Sequence, residues 1–146
     1  MFQMKRTMAA RLRVLGAVLV LAGGSAQAAC SITVDPLAFG TYQAAQATVL
    51  DASFNVTYVC DSGGDRPSYS FSAGSSGNVN ARSMSNGRDA LQYQLYSDAA
   101  RTQVLTTGSE FANRPGRTYT YYGRIAANQD VSPGAYSDSV TMTVTP

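Results

Sequence analysis

The sequence predicts an all-β domain, a two-layer sandwich of immunoglobulin-like character. Two observations carry that prediction. Apolar residues recur with a period of two in short runs along the chain, and clusters of Gly, Pro and Asn punctuate the runs. Alternation of this kind marks half-buried strands with one wet face, whereas a surface helix would show a period near 3.6. No stretch after the leader carries a helical stripe.

Taken in order, the first run sets Ile32 and Val34 against Ser31 and Thr33. Phe54, Val56, Tyr58 and Cys60 then share one face, with Ser53, Asn55 and Thr57 on the other. Tyr69, Phe71 and Ala73 alternate with Ser68, Ser70 and Ser72. Leu91, Tyr93 and Leu95 repeat the pattern, as do Tyr119, Tyr121 and Ile125 around Gly123. The last run sets Val140, Met142 and Val144 against Ser139, Thr141 and Thr143. Turn-formers separate them at Pro36, Gly63-Gly64, Gly74 to Gly77, Asn86-Gly87, Pro115-Gly116 and Pro133-Gly134. Gly admits positive φ and Pro fixes it near −65°, so each cluster ends a strand for a physical reason. Exposed positions carry Ser, Thr, Asn and Gln more than charge, which leaves sheet edges weakly defended against pairing with another chain.

Ahead of the first run stands a segment of different composition. Lys5, Arg6, Arg11 and Arg13 precede an apolar run of nine residues, Val14 to Ala22. Gly23-Gly24-Ser25 breaks it, and Ala26-Gln27-Ala28 supplies a small-x-small cleavage pattern. This is the layout of a secretory signal peptide, and the run is too short to span a bilayer. The expected division is a leader over residues 1–28 and a single domain over 29–146. No membrane insertion is expected after cleavage. Gln27, Ala28 and Ala29 also lack the large aliphatic residue that a lipoprotein signal places ahead of its cysteine.

Cleavage removes all four leader cations and leaves seven Arg against nine acidic residues, a net charge of −2 in place of +2. Neither nucleic acid nor an anionic membrane is an obvious partner for such a surface. Two cysteines remain, Cys30 and Cys60, and an even count in an exported chain reads as one disulfide. It would close a loop of about 30 residues and contribute roughly 3 kcal/mol in the loop-entropy picture.

The search for chemistry excludes more than it finds. The chain has no His, so no Ser-His-Asp or Cys-His site is possible. The acidic residues are scattered, with no calcium-type loop and no indicated carboxylate pair. Gly74-Ser75-Ser76-Gly77 lacks the Lys and the following helix of a phosphate cradle. No enzyme activity, cofactor or metal is expected. The Tyr residues of the second half, Tyr93, Tyr96, Tyr119, Tyr121, Tyr122 and Tyr136, are expected mainly in core and cross-strand packing. Arg82 and Arg124 are expected at the surface or paired with Asp98 or Asp138. Asp138 shares the inward parity of Tyr136 and Val140, so it needs hydrogen-bond partners unless it ends its strand at the surface.

Several short motifs, in order, resemble the spore coat protein U family, which includes secreted subunits of archaic chaperone–usher pili. Cys30 followed by Phe39-Gly40-Thr41-Tyr42 resembles the opening of that family, and Cys60 closes the second strand as its second cysteine does. Arg82-Ser83-Met84 and Leu91-Gln92-Tyr93-Gln94-Leu95-Tyr96-Ser97-Asp98 follow, then Tyr122-Gly123-Arg124-Ile125 and Gly134-Ala135-Tyr136-Ser137-Asp138. The resemblance implies an incomplete sandwich, completed by a strand from a partner. It implies a periplasmic chaperone, an outer-membrane usher and neighbouring fibre subunits as partners, a route through the periplasm to the cell surface, and a role in adhesion and biofilm formation. Tyr136, Val140, Met142 and Val144 are the candidate subunit-interaction residues. One departure stands out: with cleavage before Ala29, only that residue precedes Cys30, so the donor segment of such subunits is missing. The chain then accepts a strand without giving one, donates another segment, or closes its own sheet as a coat-type domain. A self-complete secreted module that recognises a surface carbohydrate is the reading from a different class.

Overall fold

The computed structural model describes residues 30–60, 68–106, 110–111 and 117–145. The expected leader over 1–28 and the turns at Gly63-Gly64 and Pro115-Gly116 lie outside the described residues. Among the described residues eight strands run in chain order: β1 (Cys30–Val34), β2 (Leu50–Cys60), β3 (Ser68–Phe71), β4 (Ser83–Ser85), β5 (Ala90–Tyr96), β6 (Glu110–Phe111), β7 (Arg117–Ile125) and β8 (Met142–Thr145). A 3-10 turn at Gly74–Ser76 accompanies them. The all-β expectation is met, and the alternation fails only to foresee two very short strands, β4 and β6.

The strands form two sheets, ordered β1-β2-β7-β5-β4 and β6-β3-β8. All pairings within them are antiparallel. The long β2–β7 pair is the spine, running in register from Leu50↔Ile125 to Tyr58↔Arg117. Its inward residues Phe54, Val56, Tyr58, Tyr121 and Ile125 are each no more than 3% exposed. Leu91, Tyr93 and Leu95 continue that face on β5, and Met84 continues it on β4. Facing them from the smaller sheet are Tyr69 and Phe71 of β3 and Met142 of β8, all buried.

Aromatic rings lock the layers together. Phe71 meets Tyr121 at 5.3 Å between ring centroids and Phe54 at 6.3 Å, both edge-on, while Phe54 stacks on Tyr121 at 5.5 Å. Burial of each such side chain contributes about 1.5–3 kcal/mol, and edge-to-face contact adds to it. The hydroxyls of Tyr69 and Tyr121 hydrogen-bond to each other inside the core, so neither polar tip is buried alone.

The link between β1 and β2 closes one end of the core. Leu37 is 1% exposed, and Phe39 sits edge-on to Tyr93 at 5.8 Å. Both side chains fill the space a side chain at Gly123 would need: a Cβ there would stand 2.7 Å from Phe39 Cζ and 2.9 Å from Leu37 Cδ2. The Tyr42 hydroxyl accepts the backbone N–H of Gln129 at 2.9 Å. The Phe39-Gly40-Thr41-Tyr42 element and Gly123 are therefore two halves of one contact, a lid and the hollow it fills.

β8, the last strand described, ends the three-stranded sheet, and β1 ends the five-stranded one. Among the described residues, no strand pairs with the outer side of either.

Candidate assembly edge

Backbone N–H and C=O groups along the outer side of β8 form a pairing surface, because a strand edge presents both in alternation. The candidate interaction residues lie on or just before this strand. Val140 is 0% exposed and Met142 is 6% exposed, both inside the core of this chain. Tyr136 and Val144 are partly buried and packed against that core. The Tyr136 hydroxyl donates to the carbonyl of Ser132 at 2.7 Å. Val140 and Met142 thus belong to the floor beneath the edge, and Val144 to its flank.

The chain reaches β8 by crossing from one sheet to the other, and polar groups guide the crossing. Ser137 bridges to Ser85 of β4, with N–H···O bonds of 3.1 and 3.0 Å in the two directions. Four residues later Thr141 is bound to Ser72, just past β3. The Ser72 N–H reaches the Thr141 carbonyl at 2.9 Å, and the Thr141 N–H reaches Ser72 Oγ at 2.8 Å.

Between these two attachments lies Asp138, 6% exposed. Its Oδ1 accepts the Ser75 N–H at 2.8 Å, the Ser75 hydroxyl at 2.6 Å and the Ser139 N–H at 2.8 Å. Its Oδ2 accepts the Tyr93 hydroxyl at 2.6 Å. Burial pushes this carboxyl up, but the bonds from Ser75, Tyr93 and Ser139 outweigh burial and hold it below the ordinary carboxylate range. Burial, together with the neighbouring carboxylate, pushes the Tyr93 phenol far up, so it stays a hydrogen-bond donor. Gly74 makes room for the carboxylate. A Cβ at this residue would fall 2.2 Å from Asp138 Oδ2, and its φ of +72° already favours glycine.

Arg82 lies on the other side of the same junction, and at 0% exposed it is the most buried charge described. Its guanidinium donates to the carbonyl of Ser72 at 3.0 Å, the carbonyl of Val79 at 3.1 Å and Gln94 Oε1 at 2.8 Å. Its Nε has no hydrogen-bond partner among the described residues. Burial lowers its affinity for its proton, and the nearby Tyr93 and Asp138 oppose that. The expectation of a surface Arg82, or one paired with Asp98 or Asp138, is corrected here. The fork binds neutral oxygens, because the carbonyls at the end of β3 and in the following loop turn inward toward it. One signal was available in the sequence: Arg82 has the parity of Met84, the buried residue of β4.

Arg124 also finds a different partner. It grips Asp51 through Nε at 2.7 Å and Nη2 at 2.8 Å, since the β2–β7 register sets the two residues opposite each other. That contact holds the Asp51 carboxyl below its usual range and raises the guanidinium. Asp98 instead caps its own loop through the backbone N–H groups of Thr102 and Gln103.

The two cysteines occupy directly opposed positions, Cys30↔Cys60, in the β1–β2 pair. Opposed residues of antiparallel strands lie about 4.5 or 5.5 Å apart at Cα, and a disulfide spans either distance. The Cys60 side chain lies outside the described residues. Cys30 Sγ lies 3.1 Å from the Tyr58 hydroxyl.

Other surface features offer less chemistry. An open cleft of about 580 Å³ lies between Asn86–Arg88 and Ser132–Ala135, with Arg88 its one charged lining residue. Among the described residues no three metal-ligating side chains gather, and no helix is long and apolar enough to cross a membrane.

Comparison with known proteins follows the same line. The family model of the Spore Coat Protein U domain matches residues 16–143. Among solved structures, the chain is similar to a complex from Acinetobacter baumannii, described as the CsuC–CsuE chaperone-tip adhesion subunit pre-assembly complex of archaic chaperone-usher Csu pili. The similarity has a TM-score of 0.58 at 22% identity, and covers 82% of this chain and 40% of that one. At that identity the likeness establishes the fold, and the chain spans less than half the length of the protein it matches. A search of curated proteins returned no match.

Proposed function

Since the chain belongs to the Spore Coat Protein U domain family, we propose that it is a structural subunit of an archaic chaperone–usher fibre, assembled by strand complementation. The observation that carries this reading is the outer edge of β8. It ends its sheet beside a core whose floor includes Val140 and Met142. An incoming extended segment would add main-chain hydrogen bonds along β8, and its alternate side chains would lie against Met142 and Val144. A periplasmic chaperone would supply that segment first, and an usher would exchange it for a segment of a neighbouring subunit.

The rest of the reading follows from export. The leader over residues 1–28 is removed, the domain over 29–146 folds in the periplasm, and Cys30 and Cys60 form a disulfide that ties β1 to β2. The product reaches the cell surface as part of a fibre and serves adhesion and biofilm formation. It performs no catalysis.

The test is export of the full chain with and without a co-expressed periplasmic chaperone of the archaic type, read as soluble yield and oligomeric state. The proposal expects aggregation or proteolysis of the chain alone and a stable one-to-one complex with the chaperone. Equal yields of a stable monomer in both cases would refute it and favour a self-complete binding module.

A further inference from the structure

The outer edge of β8 can accept a strand only if β8 itself is held still. As described, β8 has four residues and pairs on one side with β3, also four residues. So short a ladder is marginal without support. Resting on the strand-acceptor reading above, we infer that Asp138, braced by Tyr93 and Ser75, is the positioning residue that fixes β8 in the pose an incoming strand pairs with, and that Arg82 fixes its neighbour β3.

The geometry supports a division of labour. Asp138 sits at the point where the chain leaves β4 and enters the smaller sheet, one residue after the Ser85↔Ser137 bridge. Its two carboxylate oxygens face different layers. Oδ2 is held by Tyr93 of β5 in the five-stranded sheet, and Oδ1 by Ser75 in the turn that follows β3. One side chain therefore sets the approach of β8 relative to both sheets. Arg82 holds the Ser72 carbonyl, and Ser72 in turn holds Thr141 from both its N–H and its Oγ. Arg82 acts through Ser72 and Asp138 through Ser75 and Ser139, and no direct ion pair joins the two buried charges among the described residues. Each side chain is spent on orienting backbone.

The network also has a pH signature that simple packing lacks. The titratable groups facing Asp138 are Tyr93 from β5 and Arg82 from the segment before β4, and neither changes charge in the acid range. The turn after β3 contributes only hydroxyls and N–H groups. Asp138 is held below its unfolded value, so its contribution is present above that value and lost as pH falls through the folded one. Ionised Asp138 should therefore hold β8 at neutral pH and release it in strong acid.

The experiment is amide hydrogen exchange on the full exported chain, held in its chaperone complex or as the free monomer where that is stable, in wild type, Tyr93→Phe and Asp138→Asn, together with binding of a synthetic peptide of alternating Val and Thr in place of the chaperone. Loss of a hydrogen bond to a buried charge should lower protection of residues 142–145 by about tenfold or more in Asp138→Asn. Tyr93→Phe should lower it less, β2 and β7 should keep their protection, and peptide affinity should fall in parallel. Wild-type protection at β8 should show an acid step that Asp138→Asn lacks. Unchanged protection at 142–145, or an equal loss in every strand, overturns the inference. If wild type binds no peptide, the strand-acceptor reading fails, while the exchange data still decide whether Asp138 holds β8.

Discussion

The contact between Gly123 and the Leu37–Phe39 lid yields the most direct test of how the sandwich is closed. Consider Gly123→Ala. In a strand interior, the added methyl lowers the conformational entropy lost on folding, worth about 0.5–1 kcal/mol in favour of Ala. Here the new Cβ would stand 2.7 Å from Phe39 Cζ, 2.9 Å from Phe39 Cε1 and 2.9 Å from Leu37 Cδ2. Contacts that short force something to move. Leu37 is 1% exposed and cannot retreat, so the Phe39 ring must leave its edge contact with Tyr93. Overpacking of a close-fitted site costs about 1–3 kcal/mol. The net effect is a loss of about 0–2.5 kcal/mol, centred near 1 kcal/mol, which for a domain of this size lowers Tm by roughly 4 °C. With no Trp and nine Tyr in the chain, melting should be followed by tyrosine fluorescence and near-ultraviolet circular dichroism. The decisive arm is the double variant Gly123→Ala with Phe39→Leu. If the clash is the cause, the smaller side chain recovers part of the loss, and the double-mutant cycle shows coupling of about 0.5 kcal/mol or more. A clearly stabilising Gly123→Ala, or strict additivity in the cycle, refutes the lid-and-hollow account.

Other perturbations separate structural contributions of different size. Arg82→Lys keeps the charge but loses the fork that reaches Ser72, Val79 and Gln94 together, and chemical denaturation should show a loss of about 2 kcal/mol. Arg124→Met removes the grip on Asp51 at a site where both side chains are about one-third exposed, so denaturation should register less than about 1 kcal/mol, shrinking further with salt.

Much of the fold was legible because local rules and tertiary packing agree. In β2, β5 and β7 the inward parity names the core residue by residue, and Phe54, Tyr93, Leu95, Tyr121 and Ile125 are all buried as their alternation requires. The strand order β1-β2-β7-β5-β4 was not legible, since alternation is a property of one strand and pairing a property of two. The partner of Arg124 was missed for the same reason: Asp51 becomes its neighbour only through the β2–β7 register. Asp138 was half legible. Its parity with Tyr136 and Val140 required partners, but Ser75 and Tyr93 lie far away in sequence. Arg82 ran against the ordinary rule that a charge faces water, and such departures tend to cluster where a structure must be positioned as well as stable.

That last point bears on why charge is buried at this junction at all. A hydrophobic plug between β4 and β8 would cost less desolvation than a carboxylate and a guanidinium, and buried charges are often replaceable by apolar residues with no loss of stability. Apolar contact, however, is non-directional, and would hold the crossing segment in several nearly equivalent poses. A carboxylate with four donors and a guanidinium with three acceptors each make those bonds in one geometry. Displacement of β8 breaks several short bonds at once and leaves charge buried without partners, which is costly in a low-dielectric site. On the strand-acceptor reading proposed above, a defined pose of β8 matters more than added stability. An edge that wanders pairs in the wrong register, and a one-residue slip turns every side chain of the incoming strand to the opposite face.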